Sequence, residues 1–146
     1  METEDITRPL HQFHAHERAS ANRWIGAETD RVQITDIYIG HVLAHAPSDP
    51  DGAWPHRVVR DEIERLASND VERAIQMERF NMRGVYSRSM YQGGDEERSF
   101  AKAAYDAAAI TSPWPRTTAL LRTIGEGWEQ DAKRADLDAA QRRLRS

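Results

Sequence analysis

The chain contains no cysteine among its 146 residues. It therefore has no disulfide, no thiolate zinc ligand and no cysteine nucleophile, and this composition suits a reducing compartment. The acidic start, Met-Glu-Thr-Glu-Asp, is unlike the leader of a secreted or organellar protein. No stretch approaches the roughly 18 apolar residues of a membrane-spanning helix. We therefore expect a cytoplasmic protein with no membrane segment.

Recognisable catalytic and nucleotide-binding motifs are also missing. The chain has no Walker loop, dinucleotide fingerprint or nucleophile elbow, and no Glu-x-x-His pair of the kind that dimetal helical bundles use. Gly93 and Gly94 precede three acidic residues, which would repel a phosphate at the start of a helix. These absences disfavour an enzyme without deciding the question. The formal net charge of −4 disfavours a nucleic-acid binder.

Length and apolar periodicity point to a single all-α domain covering residues 1–146. We predict a compact fold of about five helices, with a frayed acidic segment at 1–7 and an extended loop at 84–94, which is long for a helical domain. The first four helices are predicted over residues 7–25, 36–46, 55–68 and 69–83. In the third, Val59, Ile63 and Leu66 form the apolar face and Arg60 lies on the opposite, polar face.

The β-branched residues near the second predicted helix also suit a short strand. We prefer a helix since Thr35 can cap it while Ile34 and Ile39 form a hydrophobic staple. Its inward-facing residues would be Tyr38, Ile39, Val42, Leu43 and Ala46. The fourth helix begins with Asn69 and Glu72, which together resemble a capping box.

The last third of the chain has the strongest helical pattern. An apolar stripe runs along residues 113–144 in steps of three and four, formed by Thr117, Leu121, Ile124, Trp128, Ala132, Ala135 and Ala139. The short link at 111–115 joins this helix to an alanine-rich one at 95–110, so we predict a long antiparallel helical hairpin. Gly125 and Gly127 would allow close backbone approach of the alanine-rich helix, or a bend near Trp128. The stripe beyond Gln130 outruns its partner, so either the N-terminal helices or another chain should cover it, and we expect a symmetric homodimer through this part of the helix.

All six histidines lie within the first 56 residues, as His11, His14, His16, His41, His45 and His56. His41 and His45 are one helical turn apart, so both imidazoles could reach one metal ion. His11 and His14 share a face of the first predicted helix and could add a third ligand. A divalent-metal site, or a metal-dependent hydrolase, is therefore one hypothesis. The alternative is that these histidines are surface or half-buried side chains.

Residues 79–94 combine three arginines with three aromatic side chains and contain no acidic residue. Arginine and tyrosine are enriched at the centres of protein interfaces. The candidate partner-binding residues are Arg79, Arg83, Tyr86, Arg88 and Tyr91. The same residue types suit phosphate contact and base stacking, and the segment could also simply cover the end of the hairpin.

The sequence thus favours a small cytoplasmic interaction or accessory protein. We expect it to bind a protein partner, or a second copy of itself, through residues 79–94 and the C-terminal helix. A histidine-ligated metal protein is the first alternative, and a nucleic-acid accessory factor is the second.

Overall fold

A computed structural model describes residues 27–82 and 93–145 of the chain. These ranges contain five helices and no strand: α1 (Ala27–Leu43), α2 (Arg57–Leu66), α3 (Asn69–Asn81), α4 (Asp95–Ile110) and α5 (Pro115–Arg145). The predicted all-α fold is therefore confirmed. The helix predicted at 7–25 lies outside the described residues. None of the described helices combines the length and apolar character needed to cross a membrane.

Helices α4 and α5 form the predicted antiparallel hairpin. Residue numbers rise along α4 as they fall along α5, as three contacts between polar groups show. The Gly94 N–H donates to Asp136 Oδ1 at 2.7 Å, the Tyr105 hydroxyl donates to Glu129 Oε1 at 2.7 Å, and the Thr111 and Thr118 hydroxyls lie 3.2 Å apart. The hairpin is the longest packed unit of the described chain, and its apolar stripe is buried from Thr117 to Ala139.

The hairpin covers more of α5 than its predicted length suggested. Gly94 lies directly against α5, because a Cβ built on it would be 2.4 Å from the Ala132 carbonyl oxygen. Ala135 and Ala139 are also buried, whereas Leu137 and Leu144 are exposed. The buried alanines give no support to a dimer through this part of α5.

The two glycines of α5 accommodate aromatic rings rather than the α4 backbone. A Cβ on Gly125 would be 2.8 Å from the Tyr105 ring, and one on Gly127 would be 2.4 Å from the Phe80 ring. The predicted close approach of the alanine-rich helix is therefore wrong for Gly127, which packs against α3, and at Gly125 the close contact is with the Tyr105 side chain of α4 rather than with its backbone.

Helix α1 differs most from its prediction. It begins at Ala27, so Thr35 lies in its interior and donates its hydroxyl proton to the Arg31 carbonyl at 2.9 Å instead of capping the helix. Tyr38 and Val42, predicted to face inward, are 71 % and 56 % exposed. The buried face is formed by smaller or polar residues: Val32, Asp36, Gly40 and Ala44. A helix placed against a close neighbour can bury only what the gap admits.

Two other local predictions also need correction. Ser68, rather than Asn69, is the N-cap of α3, since its hydroxyl accepts the Val71 N–H at 3.2 Å. Arg60, predicted on the solvent face of α2, is fully buried. In both cases a partner elsewhere in the fold decides the outcome: Ser68 donates to Asp36 at 2.9 Å, and Arg60 pairs with Asp51.

Helix α2 fixes the start of α5. The Glu64 carboxylate accepts the Thr117 N–H at 2.9 Å and the Arg116 N–H at 3.2 Å. An α-helix leaves its first N–H groups without intrahelical acceptors, and Glu64 supplies one from another helix. The hairpin is thereby held against the α2–α3 pair.

Candidate functional site

A cleft of about 620 Å³ lies among the segment at 44–56, the end of α3 and the α4–α5 hairpin. Its lining is mainly apolar, and α4 and α5 contribute Phe100, Ala104, Ala107, Ile110, Leu121, Ile124 and Trp128. Because alanine side chains are short, they leave space between the two helices that larger residues would fill. The same small residues that let the hairpin form therefore also line the cleft.

Aromatic rings form one wall of the cleft. The Trp128 ring centroid lies 4.6 Å from that of Phe80 and 5.0 Å from that of Phe100, both in tilted arrangements. Such pairs stabilise beyond their buried area, so this wall has a defined shape. Gly127 makes the arrangement possible by leaving room for the Phe80 ring.

Trp54 also lines the cleft. Its indole N–H donates to the Ala46 carbonyl at 2.7 Å. The loop that carries it is held by Asp49, whose carboxylate accepts the Arg57 backbone N–H at 2.9 Å and the Arg57 Nη2 at 2.8 Å. The Arg57 guanidinium holds the pKa of Asp49 well below its usual range. The loop is therefore a fixed support for Trp54.

Arg79 is the cation of the cleft. Its guanidinium stacks over the Trp54 ring at 4.1 Å from the ring centroid, and its Nη1 donates to the Ala44 carbonyl at 3.2 Å. Burial lowers the pKa of Arg79, but an arginine stays protonated at neutral pH because it ordinarily titrates above 12. No carboxylate within residues 27–82 and 93–145 pairs with it.

Arg60 is an arginine with a structural role, and its hydrogen bonds differ from those of Arg79. Its Nη1 and Nη2 donate to the two carboxylate oxygens of Asp51 at 2.8 and 2.9 Å, and its Nε donates to the Pro55 carbonyl at 2.6 Å. A guanidinium has five N–H donors, and Arg60 uses most of them within its own chain. Arg79 uses one N–H donor, in the hydrogen bond to the Ala44 carbonyl. Its other N–H donors are therefore available to a ligand in the cleft.

Of the predicted partner-binding residues, the structure describes only Arg79. Arg83, Tyr86, Arg88 and Tyr91 lie outside the described residues. Met82, the last described residue before them, lines the cleft. Sequence reasoning missed Trp54, although a tryptophan set between glycine and proline residues in a loop is a usable signal of a rigid aromatic surface.

His41 and His45, predicted to reach one metal ion, both contact the carboxylate of Glu78. His41 Nδ1 lies 2.9 Å from Glu78 Oε1, and His45 Nε2 lies 2.8 Å from Glu78 Oε2. The hydrogen bonds of His45 and His41 lower the pKa of Glu78. This arrangement ties α1 to α3. No signal in the sequence singled out Glu78, because it lies 33 residues beyond His45.

A metal ion is not indicated at this cluster. Across the described ranges, no group of three or more histidine or acidic side chains is arranged to hold one. The two imidazoles contact different carboxylate oxygens rather than converging on a shared point. His11 and His14 lie outside the described residues, so the metal site that includes them stays a prediction.

Comparisons with protein-family models, curated proteins and solved structures gave no significant match to the chain. No residue role is therefore taken from a relative. The strongest indication of function comes from the chemistry of the cleft, and above all from Arg79.

Proposed function

We propose that this chain is a small binding protein whose cleft holds an amphipathic monocarboxylate, a molecule with one carboxylate attached to an apolar body. The observation that supports it most strongly is the Arg79 guanidinium, which lines an apolar cleft without a carboxylate partner in the described residues. A partly desolvated charge of this kind costs free energy unless it is paired. A ligand carboxylate supplies the missing pair.

The size and lining of the cleft fit this class of ligand. Pockets for small molecules usually measure about 300–1,000 Å³ and are mostly apolar with a few polar groups that orient the ligand. A cleft of about 620 Å³ falls within that range. Burial of an acyl chain or aromatic body against Leu121, Ile124 and Trp128 would contribute roughly 25 cal/mol per Å² of apolar surface removed from water.

The charges around the cleft favour a single negative charge on the ligand. The planar guanidinium of Arg79 matches a carboxylate, which it can bind through two parallel hydrogen bonds. Asp106 also lines the cleft, and its carboxylate, paired with Lys102 at 2.7 Å, would oppose a second negative charge on the ligand. A monocarboxylate therefore fits better than a phosphate dianion.

Binding is a better match to these residues than catalysis. Arg79 and Asp106 are the charged side chains that line the cleft within the described ranges, and neither histidine–Glu78 contact involves its lining. The hypothesis of a protein partner held through residues 79–94 and α5 shares Arg79 with this proposal. It stays a separate prediction, because most of that segment lies outside the described residues.

Isothermal titration calorimetry with decanoate tests the proposal directly. We expect a dissociation constant on the order of 10 to 100 μM, within what a ligand of that size can achieve. Decanol and decyltrimethylammonium have the same apolar chain without the negative charge, so both should bind at least tenfold more weakly. Arg79→Gln should weaken decanoate binding by about 10- to 100-fold, the range expected for loss of a charged hydrogen-bonded pair.

A matched control distinguishes the effect of the cleft arginine on binding from the effect of removing any positive surface charge. Arg73 lies on the same helix, and its side chain is 69 % exposed, so Arg73→Gln should leave decanoate binding unchanged. Ala103→Trp, which places a large ring in the cleft lining, should abolish binding while keeping Arg79. Equal binding of decanol and decanoate, or unchanged binding by Arg79→Gln, would show that the proposed function is wrong.

A further inference from the structure

Arg79 and Trp54 are both anchored to backbone carbonyl groups just beyond the end of α1. The Arg79 Nη1 donates to the Ala44 carbonyl at 3.2 Å, and the Trp54 indole N–H donates to the Ala46 carbonyl at 2.7 Å. Carbonyl groups at the end of a helix have no donor within the helix, so side chains from elsewhere can satisfy them. These two hydrogen bonds bring the side chains together, and the Arg79 guanidinium lies 4.1 Å from the centroid of the Trp54 ring.

The backbone next to Trp54 is held by several hydrogen bonds. The Ala53 N–H donates to Asp51 Oδ1 at 2.9 Å. The Ala53 carbonyl accepts the Asp49 N–H and the Arg60 Nη2, both at 3.0 Å. Because the indole N–H is bonded as well, the side chain of Trp54 is fixed at both its ends. Its ring therefore offers a defined surface to a neighbouring side chain.

Arg79 and Arg60 are ordered by different kinds of group. An arginine side chain has many rotamers, and ordering it costs free energy. Asp51 orders Arg60 through two hydrogen bonds at 2.8 and 2.9 Å, and it also neutralises the charge. In the part of the chain that the structure describes, no carboxylate pairs with Arg79. An aromatic face attracts a cation without neutralising it, so the Trp54 ring orders Arg79 and leaves its charge for a ligand.

The contacts of Arg79 also indicate which of its donors meet a ligand. Trp54 covers one face of the guanidinium, and the Ala44 carbonyl accepts a hydrogen bond from Nη1. Among the described residues, Nε and Nη2 donate to no acceptor. These two nitrogen atoms form one edge of the guanidinium, and a carboxylate can accept two parallel hydrogen bonds from such an edge.

We infer that Trp54 is a positioning residue, which holds Arg79 so that its Nε and Nη2 edge meets the ligand carboxylate. This inference rests on the proposed function and adds the residue that gives the cleft its selectivity for a carboxylate. A donor that is ordered before binding does not have to be ordered during binding. We define the carboxylate preference as the dissociation constant of decanol divided by that of decanoate. The preference should depend on the Trp54 ring as well as on the charge of Arg79.

Isothermal titration calorimetry of the full chain with decanol and decanoate measures the carboxylate preference. Trp54→Leu should lower it by about fivefold or more, the change expected for loss of a partly desolvated contact between a cation and an aromatic ring. Any apolar contact that the ligand chain loses with the ring is lost by both ligands, so it cancels from the ratio. Trp54→Phe keeps an aromatic face and should lower the preference by no more than about twofold.

A double variant tests whether Trp54 acts through Arg79. In the Arg79→Gln background, Trp54→Leu should leave the carboxylate preference unchanged, because both substitutions remove the same interaction. Trp114 provides the matched control. The Arg60 guanidinium lies 4.8 Å from its ring centroid and its indole N–H donates to Asp61 at 2.8 Å, but it does not line the cleft. Trp114→Leu should therefore keep the wild-type preference.

The possible results separate this inference from the proposed function. Equal affinity of the wild-type protein for decanol and decanoate would show that both are wrong. A wild-type preference for decanoate that Trp54→Leu leaves unchanged would overturn the inference alone. Loss of both ligands in Trp54→Leu would also overturn it, because the ring would then maintain the whole cleft. The same applies if Trp54→Phe behaves like Trp54→Leu, or if Trp54→Leu lowers the preference further in the Arg79→Gln background.

Discussion

Replacement of Gly40 by alanine sets two opposing effects against each other. In an open helix the change should stabilise by about 1 kcal/mol, because glycine is a poor helix former. In this fold the added methyl group would lie 2.5 Å from the Ala74 Cβ and from the Val71 carbonyl oxygen. The second contact is to backbone, so it cannot be relieved by rotation of a side chain.

The free-energy cost of this overlap should exceed the free energy gained from the better helix propensity of alanine. Overpacking of a close contact costs about 1–3 kcal/mol, and the upper end applies here because α1 and α3 must separate to make room. We therefore expect a net loss of about 2 kcal/mol, once the propensity gain of about 1 kcal/mol is subtracted. For a domain of this size, that loss lowers the Tm by about 4–8 °C.

Urea unfolding followed by far-UV circular dichroism measures this difference in the free energy of unfolding. The dependence of that free energy on urea concentration should be unchanged, which shows that only the stability differs. Gly127→Ala is the comparison, because its methyl group would meet the end of the Phe80 ring at 2.4 Å. This contact is to the end of a side chain rather than to backbone, so the loss of stability should be smaller. Stabilisation by Gly40→Ala of about 1 kcal/mol, the propensity effect alone, would refute the close crossing of α1 and α3.

Two predictions concern pH. The pKa of Asp136 is lowered by hydrogen bonds from the Arg98 side chain and then from the Gly94 N–H, so its contribution to stability is complete above the ordinary value of 3.8 and is lost as the pH falls through the folded-state pKa. Asp136→Asn should therefore make the urea midpoint fall less steeply with pH below about pH 4. An unchanged dependence of the midpoint on pH would contradict the contact of Asp136 with Arg98 and Gly94. The Glu129 carboxylate raises the pKa of Tyr105 to about 12, so the stability from this neutral phenol is complete below pH 10 and lost as the pH rises through about 12. Ultraviolet titration should show a tyrosine that ionises near pH 12, and Glu129→Gln should return its pKa towards 10; a titration curve that Glu129→Gln leaves unchanged would contradict the assignment.

The candidate site was partly predictable from the sequence. Arg79 stood out because it lies in a segment rich in arginine and aromatic residues. Its role depends on Trp54 and Ala44, which lie 25 or more residues earlier in the chain and contact it only in the folded protein. The spacing of His41 and His45 correctly placed both imidazoles together, because residues four apart share a helix face. Their partner, Glu78, could not be inferred without the packing of α1 on α3.

The sequence alone determined the helical class and the α4–α5 hairpin. Both follow from local information: an apolar period near 3.6 and a link too short for any arrangement other than antiparallel neighbours. The tertiary structure decided which face of α1 is buried, which arginine is satisfied and where the cleft lies. These outcomes depend on the distance between helix axes and on pairs such as Gly40 with Ala74, whose separation along the chain leaves no periodic signal. Periodicity reports which residues share a face, but the space available against the neighbouring helix determines whether that face is buried.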